Sequence, residues 1–170
     1  NDGGIAVGAG TLLVNGDHSG AGGPVSVASD AKLGGIGIIG GDVTLGDGAT
    51  LAPGSAGAGT LTVDGDLSLA SGSHLAFELG EADVAGGALN DLVIVGGDLA
   101  LDGTLDVAVT AGGAFDIGVY RLFDYGGTLT DNGLTLGVLP PESNASIQTA
   151  IAGQVNLVNA PVLVLKFWDG

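Results

Sequence analysis

The chain has 170 residues, 35 of them glycine and none cysteine or methionine, and its 19 acidic side chains outweigh three basic ones to leave a net charge of −16. That length is expected to form one sizeable domain, and without Cys it holds no disulfide or thiolate metal site. The negative field opposes nucleic acid and anionic lipid surfaces, where Lys and Arg must neutralise phosphate, so no nucleic-acid partner is expected.

Along the chain, the phrase GAGTL-x-V-x-GD-x-S appears at Gly8 to Ser19 and again at Gly57 to Ser68, with related phrases at Gly40 to Leu51 and Gly96 to Leu105. Aligning the Gly of each Gly-Asp pair (Gly16, Gly41, Gly65 and Gly97) predicts a unit of roughly 24 residues, which suits a solenoid coil, and Gly80 to Asn90 reads as an insertion. Frequent Gly and short runs of Val, Ile and Thr argue against helix. Strands are predicted at Thr60–Val63, Asp66–Leu69, His74–Leu79, Leu92–Val95, Asp98–Leu101 and Thr104–Val109, separated by turn residues. Because i and i+2 share a strand face, the alignment stacks His18, Val43, Leu67 and Leu99 in one column, and Gly20, Leu45, Leu69 and Leu101 in a second. About seven coils, roughly 4.8 Å apart, would form a rod some 35 Å long.

Six of the seven aromatic residues follow residue 114, as do two of the three bases, Arg121 and Lys166. The chain therefore divides into coils over 1–113 and last coils plus a capping region over 114–170. Strands are predicted near Val119–Asp124, Leu134–Val138, Ile147–Ile151, Gln154–Val158 and Val162–Phe167, with Pro140-Pro141 in a loop. Ser143 to Leu165 carries no charge, but Asn144, Gln148, Gln154, Asn156, Asn159 and Pro161 make it a poor membrane helix. Direct membrane insertion is not expected. A start without Met and an end at Asp169-Gly170 suggest a piece of a longer protein.

Candidate chemistry is sparse. Gly35 to Gly40 satisfies G-x-G-x-x-G, yet a strand phrase follows where a dinucleotide site needs a helix. The calcium nonapeptide fails because Ile39 stands where Asp is required. Asp17, Asp42, Asp66 and Asp98 share one position in the alignment and could form an outward acidic ladder for Ca²⁺, or serve turns through backbone N–H groups. Asp17-His18-Ser19 holds triad residue types, but consecutive strand residues do not converge on one atom. His74 reads as an ordinary strand residue. Asp64 with Asp66, and Asp102 with Asp106, are the nearest carboxylate pairs for glycan cleavage, and Arg121 is expected to pair with Asp116 or Asp124. No catalytic residue, resident cofactor or metal site is assigned.

The run GGIGIIGGDVTLGDGATLAPGSAGAGTLTVDGDLSLASGSHLAFELG (Gly34 to Gly80), followed by DLVIVGGDLALDGTLDV and GVYRLFDYGGTLT, resembles the C-terminal passenger repeat of bacterial autotransporters, and Phe167-Trp168-Asp169-Gly170 is similar to an aromatic-W-D-G phrase of long passengers. The resemblance spans about residues 34–170. It implies an all-β, right-handed parallel β-helix with a C-terminal autochaperone-like cap. It also implies an extracellular location on a bacterial surface, and a monomeric stem supporting folding and display of an adhesin or virulence factor. A host-cell or matrix receptor would be met through the full passenger. The alternatives are a fragment of a polysaccharide-degrading β-helix and a Ca²⁺-binding adhesion module.

Overall fold

The computed structural model describes residues 3–162, so the predicted strand at Val162–Phe167, except for Val162 itself, and the closing aromatic phrase lie outside the described residues. Within them the chain forms strands and turns and no helix. Five coils contribute three strands each: β1 (Ile5–Val7), β2 (Gly10–Leu13), β3 (Asp17–His18); β4 (Val25–Val27), β5 (Ala31–Gly35), β6 (Ile38–Ile39); β7 (Val43–Leu45), β8 (Thr50–Pro53), β9 (Thr60–Val63); β10 (Leu67–Leu69), β11 (His74–Leu79), β12 (Leu92–Val95); and β13 (Leu99–Leu101), β14 (Thr104–Val109), β15 (Gly118–Tyr125). A sixth supplies β16 (Leu129–Asp131) and β17 (Thr135–Leu136), and the last strands among the described residues are β18 (Ala145–Gln148) and β19 (Gln154–Asn159).

First, second and third strands of successive coils line up in three sheets, here called first, second and third, and pair in parallel within each. This is a parallel β-helix. Short strands broken by Gly corners suit it, because each corner must turn sharply while each strand needs a neighbour above and below. The first sheet stacks Val25, Val43, Leu67, Leu99 and Leu129 in one column. In the second sheet a leucine column runs through all six coils: Leu12, Leu33, Leu51, Leu75, Leu105 and Leu136. Its four inner members are at most 1% exposed, while Leu12 and Leu136, at the ends of the stack, are half-buried. Each fully buried leucine contributes on the order of 1.5–3 kcal/mol.

The register corrects the sequence alignment of the first coil. Gly41, Gly65 and Gly97 do precede first-sheet strands, but Gly16 precedes β3 in the third sheet. His18 therefore pairs with Ile39 and not Val43, and the true partner of Val43 in the coil before is Val25. Gly20 likewise drops out of the second column, whose member is Val27. The two copies of the long phrase fall on different faces, the first across β2 and β3 and the second across β9 and β10. What repeats is a strand–corner–strand unit that serves any corner of the triangle. True coil lengths, read from Ile5 to Val25, Val43, Leu67, Leu99 and Leu129, are 20, 18, 24, 32 and 30 residues. With later coils enlarged by insertions, the described residues form six stacked coils rather than the expected seven, and five steps of about 4.8 Å make the stack about 24 Å long.

At its end the architecture changes. β19 pairs antiparallel with β15, and β18 antiparallel with β19, so a hairpin closes the third sheet. A register shift between Arg121 and Phe123 forms a bulge in β15, and the extra residue Leu122 and its neighbour Phe123 are both fully buried. Phe123 lies 5.8 Å from the Phe77 ring, and Tyr120 stacks on Phe115 at 4.6 Å. Of its two candidate partners, Arg121 pairs with Asp124, and its Nε donates to Asn156 Oδ1 at 2.7 Å. Since Asn156 is buried, Arg121→Met should cost about 1–2 kcal/mol through that orphaned oxygen. The check is the urea midpoint of the variant against the parent.

Candidate functional site

Three of the four aligned aspartates form a column along the corner before the first sheet. Asp42 Oδ1 accepts the Asp66 N–H at 2.9 Å, Asp66 Oδ1 accepts the Asp98 N–H at 2.7 Å, and Asp98 Oδ1 accepts the Thr128 N–H at 2.6 Å. Each carboxylate thus clamps the next coil, and does not serve its own turn. The preceding glycines make room: a Cβ on Gly65, Gly97 or Gly127 would lie 2.4, 2.1 or 2.3 Å from the Oδ1 of Asp42, Asp66 or Asp98. The Gly-Asp pair is therefore one device, a gap and a clamp. Asp17 is not part of it. It sits at a third-sheet corner, where its Oδ1 accepts the Ser19 N–H at 2.9 Å, and that local bond with Ser19 holds its carboxyl below the usual range. Position Asp42 has Pro24 as its counterpart in the preceding coil, as the Val25–Val43 pairing requires.

Other clamps use the same chemistry. Asp47 Oδ1 accepts the Gly72 N–H at 2.8 Å, and Asp106 Oδ1 accepts the Val138 N–H at 2.6 Å. Of the two carboxylate pairs weighed for glycan cleavage, Asp66 and Asp106 hold the next coil, and Asp102 accepts from Gly103 beside it. Among the described residues no group of three or more His, Asp or Glu side chains is gathered to hold a metal ion.

A groove of about 630 Å³ lies on the outer face of the second sheet. Ala52, Ala76 and Ala108 contribute small side chains to it, and Lys32, Glu78 and Asp106 bring charge. At its side lies Asp91, a fully buried carboxylate that sequence reasoning missed. It ends the 80–91 insertion. Its Oδ1 accepts the Gly59 N–H at 2.7 Å and its Oδ2 the Glu78 N–H at 2.7 Å, so it joins two coils. Beside it, buried Asn90 closes the insertion on itself through Gly80, Glu81 and Val84. Loss of water pushes the Asp91 carboxyl up to about 7, against the opposing pull of its two N–H donors.

The sign of the resulting pH dependence follows from linkage. The folded state binds this proton more tightly than the unfolded chain, so the group adds stability as pH falls from about 7 toward 3.8 and loses it as pH rises back through that window. Lowering the pH from about 8 to about 5.5 should gain about 2 kcal/mol from Asp91 alone. Urea unfolding at both pH values tests this, since Asp91→Asn should shrink the pH difference by that amount.

With this geometry in view, the chain is 62% identical over 129 residues, 76% of its length, to the adhesin BmaC autotransporter of Brucella suis biovar 1 (strain 1330). The chain belongs to the autotransporter passengers. Its matched part spans 4% of that relative's length. No family model matches the sequence.

Within the passenger segment the apparent catalytic phrases resolve into stacking. In Gly35 to Gly40, a Cβ on Gly35, Gly37 or Gly40 would meet the backbone oxygen of Val14, Gly16 or Ser19 at 2.0, 2.3 or 2.4 Å, so these glycines let two coils approach. His18 is exposed on β3, and His74 is exposed on β11 between Thr50 and Thr104 of the adjoining coils.

Proposed function

We propose that this segment is a structural stem of a secreted or surface-displayed passenger, supporting the folding and display of an adhesin. Its mechanism is mechanical. Leucine and valine columns bind coil to coil, aspartate clamps fix their register, and the terminal hairpin covers the edge of the third sheet. That hairpin carries the reading, because a solenoid whose third-sheet edge is covered resists unwanted strand pairing on that face and offers a finished template to coils before it. Kinship with an autotransporter adhesin supports an extracellular, bacterial-surface location. Any host-cell or matrix receptor is met by the whole passenger, and this segment acts as a monomeric, non-enzymatic support without a cofactor.

Deleting residues 143–162 from the full-length passenger tests the stem role. The expected result is a several-fold loss of protease-resistant passenger on intact cells with the precursor still made. Undiminished, protease-resistant display would overturn the reading.

A further inference from the structure

Two Asn-Gly steps lie in the described residues, Asn15-Gly16 in the first coil and Asn132-Gly133 in the last, and all four residues are exposed. Glycine after asparagine leaves its nitrogen free to approach the side-chain carbonyl carbon, because no Cβ stands in the way. The two steps are held differently. Asn15 Oδ1 accepts the Ile36 N–H and Asn15 Nδ2 donates to Ser55 Oγ, both at 3.3 Å, so this amide is tied to the two coils that follow. The Gly16 carbonyl accepts the Ile38 N–H at 3.0 Å, and a Cβ on Gly37 would stand 2.8 Å from the Gly16 nitrogen, so the second coil covers that nitrogen closely. Asn132, by contrast, forms the corner between β16 and β17, and its side-chain amide has no hydrogen bond among the described residues. Gly133 has φ +99°, and a Cβ there would meet nothing within 4 Å. Its N–H reaches Asp131 Oδ1 at 3.1 Å, but that carboxylate is exposed and water replaces it at little cost.

We propose that Asn132-Gly133 is a self-modification site: it converts to aspartate and isoaspartate without an enzyme, and the isoaspartate form loosens the last coil, while Asn15-Gly16 is protected by its neighbours. The Gly133 nitrogen gives its proton to water or hydroxide and bonds to Asn132 Cγ. The Cγ–Nδ2 bond breaks, ammonia leaves, and a cyclic imide forms. Water then adds to one of the two imide carbonyl carbons. Opening at Cγ gives aspartate, and opening at the main-chain carbon gives isoaspartate, whose backbone runs through Cβ and Cγ. The balance is asparagine plus water to acid plus ammonia, with nothing oxidised or reduced. Isoaspartate lengthens the main chain between two bonds to the coil before, Asn132 N–H to the Leu101 carbonyl and Thr135 N–H to the Gly103 carbonyl, both 2.9 Å. Leu134, buried between them, and the β17 pairing that follows are then out of register.

Peptide mapping by mass spectrometry of the whole chain, aged at mildly alkaline pH in buffer and in urea, tests the site. In buffer Asn132 should convert at least about tenfold faster than Asn15, since both Asn15 side-chain bonds must break before attack. In urea, with the fold gone, the two steps should convert at similar rates. Amide exchange at Thr135 should rise roughly tenfold in the isoaspartate-bearing chain. Asn132→Asp, which adds the charge without lengthening the backbone, should leave Thr135 protected. Equal rates in buffer, a preference that persists in urea, an isoaspartate chain with Thr135 still protected, or a loss of that protection in Asn132→Asp overturns the proposal.

Discussion

Phe123→Ala is expected to lower the unfolding free energy by about 3–5 kcal/mol, the cost of a large core side chain removed where the surroundings do not collapse. Phe123 is fully buried and sits where two kinds of pairing meet: Val93 is its parallel partner in the coil before, and Val155 its antiparallel partner in the hairpin. The Phe77 ring lies 5.8 Å away at 52°, an inclined aromatic contact that is also lost. Neither side fills the gap readily, because paired strands hold both backbones. Phe123→Leu, which keeps most of the volume, should cost only about 1–1.5 kcal/mol. Guanidinium unfolding of the two variants, with unchanged m-values, provides the measurement. A loss under about 1 kcal/mol for the alanine variant would mean that the hairpin contributes little to the core.

Much of this architecture was legible because strand periodicity and Gly corners are local signals. Thr60–Val63, His74–Leu79, Leu92–Val95 and Thr104–Val109 are strands with the bounds that alternation and turn residues predicted, and Val43, Leu67 and Leu99 do stack. Reading failed where one local signal has several places to fit. A Gly-Asp corner preceded by a Thr-Leu-x-Val run serves the third sheet at Asp17 and the first at Asp66, so sequence identity between the two phrases misassigned the face. Pro24, standing where later coils have Asp, removed the cue that would have corrected it. Within the closing region, Leu134–Val138 shrinks to Thr135–Leu136, and Ile147–Ile151 shifts to Ala145–Gln148. Antiparallel return of a hairpin is a long-range decision that no repeat encodes.

Asp91 was illegible for a different reason. Its burial depends on two donors 32 and 13 residues away, and Asn90-Asp91 before an apolar run looks like any polar turn. The Asp42–Asp66–Asp98 column was visible as a column, but its chemistry was not. A spacing shows that carboxylates stack; only the register shows that each one faces the N–H of the next coil.

That register makes a second large effect predictable. Gly97→Ala should cost about 3 kcal/mol although it adds a single methyl group. The new Cβ would stand 2.1 Å from Asp66 Oδ1 and 3.0 Å from the backbone carbon and oxygen of Gly65. The carboxylate must swing away, and the Asp98 N–H then loses its acceptor. Asp66→Ala alone removes the same bond and should cost about 1–2 kcal/mol. The two changes are therefore strongly coupled. In the Asp66→Ala background the methyl no longer meets an oxygen, only the backbone of Gly65, and Gly97→Ala should cost about 1 kcal/mol more. A double-mutant cycle in urea measures this directly. Coupling of about 2 kcal/mol means that Gly and Asp act as one clamp across coils, whereas additive losses would mean that the glycine is needed for the backbone alone. The same reasoning carries to Gly65 with Asp42 and Gly127 with Asp98, whose clearances are almost as short. A coil stack built this way resists sliding between coils at every clamp, so strain at one corner is borne by the next coil rather than by its own turn.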